Sequence, residues 1–216
     1  MVWNENEIFK CPNCGNFLLK KVIASAITFG STLYSDGKNI SSGLEDLPPN
    51  LTKCERCDTI FWLSDLKSIG KTHCSDPKWR NAEYAKFLNI KDLFRALAMV
   101  ESQKEKTIRT WIWWAFNDRV RYGGEEMFIE ADDKDLWEQN CKALLNLFDT
   151  DNWSDTFLKA ELYRNLGEFE KCIELIDSID MSDKENEESQ WINYLKDQMK
   201  NKINNKERLV FKAAGR

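Results

Sequence analysis

The sequence predicts an α+β protein, with a small β-rich domain over residues 1–75 built around four cysteines and an all-α domain of helical hairpins over residues 76–216. Three observations carry this prediction. Two C-x-x-C pairs, Cys11/Cys14 and Cys54/Cys57, lie among β-branched residues and turn signals. Apolar residues follow a strand-like pattern up to about residue 70 and recur every 3.6 residues beyond it. Asp76-Pro77 marks the change, with Asp as a cap and Pro at the first position of an expected helix.

Taken in order, Ile8-Phe9-Lys10 leads into the first Cys pair, and Phe17 to Thr28 leaves it as a strand rich in β-branched and small residues. Thr32-Leu33-Tyr34 and Lys38-Asn39-Ile40 flank Ser35-Asp36-Gly37, a hairpin signal because Asp-Gly accepts positive φ. Ser41 to Asn50, with Pro48-Pro49, is a loop. Thr52-Lys53 enters the second Cys pair and Ile60-Phe61-Trp62-Leu63 leaves it as another strand. In the second half, Asn89 precedes a stripe of Ile90, Leu93, Phe94, Leu97 and Val100. A second stripe runs through Ile108, Trp111, Ile112 and Ala115, with Trp113, Trp114 and Phe116 beside it, so that helix packs on more than one side. Gly123-Gly124 ends it. Asp133 caps a helix whose apolar face is Trp137, Cys141, Leu144, Leu145 and Phe148. Two shorter helices split at Gly167, and a last one runs through Trp191, Leu195 and Met199.

Composition narrows the class. With 216 residues, 42% hydrophobic and nine Trp, the chain can bury a real core, and a charged fraction of 31% is that of a solvated surface. The longest apolar runs, such as Trp111 to Phe116, are too short to span a bilayer. The first residues, Met1 to Glu5, lack the basic and apolar blocks of a secretory signal, so the expected location is the cytoplasm. A net charge of −5 argues against a protein built around nucleic acid or an anionic membrane. Residues 1–77 are close to neutral, with eight Lys/Arg and nine Asp/Glu, and only residues 196–216 are locally basic, as at a solvated helix end.

Cysteine usage points to metal. Seven cysteines without an export signal do not form a disulfide framework, and four of them form two pairs at ligand spacing. Two cysteines separated by two residues can both enter one tetrahedral site, and the turn between them aims backbone N–H groups at the sulfurs. Gly15 suits the positive φ needed just after the second ligand. The expected ligands are Cys11, Cys14, Cys54 and Cys57, the expected ion is one structural Zn2+ per chain, and iron is the alternative for a tetrathiolate. The form Cys11-Pro12-Asn13-Cys14-Gly15, with the second knuckle Cys54-Glu55-Arg56-Cys57-Asp58, resembles the zinc-ribbon and rubredoxin-like families over the first third of the chain. Thirty-nine residues separate Cys14 from Cys54, more than in a compact ribbon, and the Asp36-Gly37 hairpin and the Pro48-Pro49 loop occupy that insertion.

Within residues 154–184, Ala160, Tyr163, Gly167, Phe169 and Cys172 resemble one tetratricopeptide repeat, in which small and aromatic residues alternate on two helices joined at a Gly. Ile176 fits the next packing position, whereas Ile179 and Lys184 stand where a small residue and Pro are usual. The resemblance implies a surface that binds a peptide or protein.

Other candidates weigh less. His73, the sole histidine, sits beside Cys74 with no third ligand evident, which fits a solvent-facing residue better than a metal ligand or base. Trp111, Trp113, Trp114 and Phe116 at helical spacing fit a core better than a base-stacking surface. Glycine-rich phosphate loops, zincin motifs and nucleophile elbows do not stand out. The expected function is therefore a zinc-containing protein–protein interaction module with no catalytic activity. The alternatives are a nucleic-acid accessory protein and an enzyme with a site between the two domains.

Overall fold

The computed structural model describes residues 2–25, 30–41, 49–100, 102–122, 125–179 and 187–215. The expectations for residues 26–28, for residues 42–48 of the loop from Ser41 to Asn50, for the Gly123-Gly124 stop and for Lys184 lie outside them. The class is α+β, as expected. The chain folds as two compact units that do not follow chain order: residues 1–31 with 40–98, and residues 32–39 with 99–216.

In the first unit, β1 (Val2–Lys10), β2 (Phe17–Ser25), β7 (Gly70–His73) and β8 (Glu83–Tyr84) form a sheet in the order β7-β1-β2-β8. Strands β1 and β2 are antiparallel with Phe9 opposite Leu18 and Lys10 opposite Phe17. Phe9 and Leu18 turn into a core shared with Cys11, Cys54, Phe61 and Leu63. A two-stranded ribbon, β5 (Leu51–Lys53) against β6 (Ile60–Trp62), carries the second Cys pair in its turn.

The expected helix at Asp76-Pro77 is a single 3-10 turn, Pro77–Trp79, that Asp76 caps by accepting from the Lys78 N–H. After it the chain returns to the sheet, where β8 runs parallel to β2 and the Ala85 N–H donates to the Leu19 carbonyl. The first true helix, α1 (Ile90–Leu97), begins at the expected stripe and is capped by Asn89, but it too belongs to the first unit. The boundary expected at 75/76 therefore falls at 98/99, because β7, β8 and α1 all pack onto the cysteine region.

The second unit holds α2 (Ser102–Arg121), α3 (Asp133–Leu145), α4 (Trp153–Leu166), α5 (Phe169–Ser178) and α6 (Glu187–Asn204), each packed on the next. The buried face of α2 is Ile108, Ile112, Trp113, Phe116 and Asn117, one step round from the expected stripe, and Trp111 and Ala115 are only half-buried. Aromatic neighbours explain the shift: Phe116 meets Phe128 edge-on, and Phe128 meets Trp137 of α3. The face predicted for α3 is buried in full. Gly167 closes α4 in the left-handed region (φ 84°), and Ala160, Cys172, Ile176, Leu195 and Met199 share one core.

This unit is not all-helical. Its residues 32–39 run from β3 (Ser31–Tyr34) through the turn to β4 (Asn39–Ser41), and Thr32, Leu33 and Tyr34 pair antiparallel with β9 (Lys212–Gly215) in a sheet of order β4-β3-β9. The tail read as a solvated helix end thus returns as a strand.

Asp133 ties α2 to α3. Burial raises the cost of its charge, but N–H groups of Glu130 and Ile129 (2.9 Å each) and Arg119 Nη1 (2.6 Å) outweigh it and hold the carboxyl below the usual range. A depressed folded-state pKa contributes stability above the unfolded value, about 4 for Asp, and that stability is lost as pH falls through the folded value. Asp133→Asn is therefore expected to lower stability at pH 7 and to flatten the acid limb of a stability–pH curve, measured by urea denaturation from pH 7 down to pH 3.

Candidate metal centre

Two turns of the same construction face each other. In the first, the Gly15 N–H donates to the Cys11 carbonyl (3.0 Å) and the Cys11 N–H to the Asn16 carbonyl (2.8 Å). In the second, the Asp58 N–H donates to the Cys54 carbonyl (2.8 Å) and the Cys54 N–H to the Thr59 carbonyl (2.9 Å). Gly15 has φ 71° and Asp58, at the matching position, has φ 61°. Asp tolerates the left-handed region better than most side chains, which lets the second knuckle dispense with glycine.

The four sulfurs all lie within 4.8 Å of one another. Cys11 Sγ is 3.5 Å from Cys57 Sγ, and Cys14 Sγ is 3.7 Å from Cys54 Sγ. The edge of a tetrahedron of thiolates around zinc, with arms of about 2.3 Å, is about 3.8 Å, so the spacing fits a tetrahedral ion. All four ligands expected from the sequence are thus brought together, positioned to hold a metal ion.

The surroundings fit thiolate ligation as well. Cys11 and Cys54 are buried, and desolvation pushes the Cys11 thiol up to about 12 and raises that of Cys54. Backbone N–H groups of Asn13 and Cys14 act against this at Cys11, and those of Arg56 and Cys57 at Cys54. Buried thiolates with this much desolvation need a cation to stay ionised. Cys57 is pulled down to about 6, chiefly by the side chain and then the N–H of Thr59, whose hydroxyl oxygen lies 3.2 Å from its sulfur. Asn13 of the opposite knuckle donates to that same oxygen (3.1 Å), which leaves the hydroxyl proton for the Cys57 sulfur.

Four charges outside the thiols brace the second knuckle. Lys53 Nζ bonds Asp92 (2.7 Å) and Asp58 (3.2 Å), and Arg95 bonds the same two carboxylates (2.8 Å each). Arg95 also donates to the Asp58 carbonyl, so α1 grips the residue that holds positive φ. Sequence reasoning missed this quartet and missed Thr59. The matched offsets of Cys-x-x-Cys-Gly and Cys-x-x-Cys-Asp were the available signal.

His73 is exposed, with Nδ1 2.7 Å from Ser75 Oγ, and Cys74 is exposed beside it. Among the described residues neither joins a cluster of ligand atoms. Cys141 and Cys172 are buried in the helical unit, and burial lifts both thiols, Cys172 to about 12, as expected of packing residues. No helix among the described residues is long and apolar enough to cross a membrane. No known protein family, curated protein or solved structure matches the chain.

Proposed function

We propose that the protein is a structural-zinc protein whose task is to bind another protein, and that it carries out no catalysis. The observation that supports this most directly is the four-thiol cluster. Four protein thiolates complete a tetrahedral shell and leave no position for water or substrate, so the ion stabilises a fold and does no hydrolysis. Zinc is preferred to iron because a closed shell of four thiolates from two Cys-x-x-Cys turns is the common form of a structural zinc site. Two buried carboxylates outside the cluster also have structural partners: Asp36 lies against Arg121 and Asn117, and Asp133, expected to cap α3, instead accepts from Arg119 and from the N–H groups of Ile129 and Glu130 that precede the helix.

The interaction role draws on the helical hairpins. In the α4–α5 pair Ala160, Cys172 and Ile176 share one core and Gly167 closes α4, which supports the resemblance to a tetratricopeptide hairpin, and stacked hairpins commonly serve as docking surfaces. A cytoplasmic location fits a chain with free thiols.

Elemental analysis of protein purified without added metal is expected to find one zinc per chain. Iron in its place, or no metal, would overturn the zinc assignment. Affinity capture on the immobilised full-length chain should return one protein at constant stoichiometry. Recovery of nucleic acid in a salt-sensitive manner would favour the accessory-protein alternative instead.

A further inference from the structure

Charge divides unevenly between the two folded units. Residues 1–31 and 40–98 carry twelve Lys/Arg against ten Asp/Glu, a net +2, whereas the remaining residues carry nineteen against twenty-six, a net −7. The cysteine unit is therefore the cationic part of an acidic protein.

Its surplus is displayed beside the first knuckle. Lys10 and Phe17 are direct cross-strand partners, and Lys10 Nζ lies 5.3 Å from the centre of the Phe17 ring. Phe17 meets Trp79 edge-on at 5.2 Å, and Lys78 Nζ lies 5.2 Å from the Trp79 ring. Arg80 follows, exposed. Phe17 is 39% exposed although it is a large apolar side chain at the end of a sheet. Lys10, Lys78 and Arg80 form no ion pair with another described residue, whereas Lys53, Lys71, Lys86 and Arg95 of the same unit all do. The nearby carboxylates are engaged: Asp76 accepts from the Lys78 N–H and the Thr72 hydroxyl, and Glu83 accepts from Asn16.

We infer that Lys10, Phe17, Lys78, Trp79 and Arg80 form a docking surface for an acidic peptide segment of a partner protein, one with carboxylates flanking an apolar side chain. This rests on the proposed interaction role and names the chemistry of the partner. The apolar side chain packs on the Phe17–Trp79 pair while the carboxylates pair with Lys10, Lys78 and Arg80, which form no ion pair with another described residue. Such a segment fits better than single-stranded nucleic acid. A net charge of +2 on this unit gives no basic track for successive phosphates, whereas a few carboxylates around one apolar side chain match three cations around one ring pair.

The test is fluorescence anisotropy with full-length, metal-loaded protein and a short labelled peptide repeating Glu-Leu-Asp-Glu. The comparison probes are the same peptide with Lys at each acidic position and an oligodeoxythymidine. The acidic peptide is expected to bind in a salt-sensitive manner. Its affinity should fall about tenfold in Lys10→Glu/Lys78→Glu, as for two exposed ion pairs reversed, and should weaken in Phe17→Ser with circular dichroism unchanged. Equal binding of the acidic and Lys-substituted peptides, or an undiminished affinity in the double variant, would overturn the inference. Preferential binding of the oligonucleotide through the same residues would overturn it in favour of nucleic acid. None of these outcomes alters the zinc content, and a partner captured through the helical unit would leave the broader interaction role standing without this surface.

Discussion

Removing the metal with a strong chelator, or replacing Cys54 with Ser, is expected to unfold residues 1–31 and 40–98 while leaving most helical circular dichroism in place. Cys11 and Cys54 are themselves buried members of that unit's core, packed with Phe9, Leu18, Phe61 and Leu63. Without an ion, two desolvated thiols and a long loop from Cys14 to Cys54 must be held by burial alone, and loop closure and small size both work against that. Structural zinc on four thiolates contributes roughly 10 kcal/mol or more to folding, which is as large as the whole net stability of an ordinary domain. The helical signal survives because, among the described residues, α1 with 8 residues is the only α-helix in this unit, while α2 and α6 alone span 20 and 18. Joint melting of both units after chelation, or no change at all, would refute this two-part behaviour. The hairpin at residues 32–39 makes the outcome informative: it lies in sequence between the knuckles yet folds with the helices, so its amides should stay protected from hydrogen exchange after the metal is gone.

That hairpin also marks how far the sequence could be read. The metal site was legible because a knuckle is local: five residues determine its turn, its N–H···S contacts and its ligand spacing. Asp36-Gly37 likewise announced a turn, and Gly37 adopts φ 76°. Where the hairpin goes was not legible. Its partner strand β9 is a four-residue KAAG segment, and the bond from the Phe211 N–H to Ser35 Oγ spans 176 positions. Nothing local in Lys212-Ala213-Ala214 favours a strand over a frayed helix end; only the waiting edge of β3 does. At Asp76-Pro77 the cap signal was real, but the chain used it for one 3-10 turn before returning to the sheet. On α2, aromatic residues on several sides left the buried face ambiguous, and the contact between Phe128 and Trp137 decided it.

What holds the hairpin in the helical unit is polar, and this leads to the second large effect, expected for Arg121→Met. Asp36 is fully buried and is bonded by Arg121 and by Asn117 Nδ2 (2.8 Å), while its own carbonyl accepts from Trp114 Nε1 (2.9 Å). Arg121 also pairs with Asp118, which in turn holds Lys38 across the turn (2.6 Å). One residue earlier, Ser35 donates to Glu161 (2.7 Å), and Glu161 is locked to Arg164 and Asn165, which bond the carbonyls of residues 207–209. Burial alone pushes the Asp36 carboxyl up, and Arg121 is the largest influence against it. Methionine keeps the volume but leaves that carboxylate buried without its cation, a loss of roughly 3–5 kcal/mol. Urea denaturation followed by circular dichroism should show that loss, and hydrogen exchange should show Leu33 and Ala214 opening together, since β3 and β9 share the anchor. Asp36→Asn on the Arg121→Met background should recover part of the loss, because a neutral amide does not need the guanidinium. The single variant's deficit should also narrow as pH falls: a carboxyl whose folded-state pKa is raised takes up its proton in the folded state first, and the protonated form can stay buried. A loss within about 0.5 kcal/mol, the range of ordinary surface substitutions, would mean that the apolar contacts of the hairpin hold it without the charge pair.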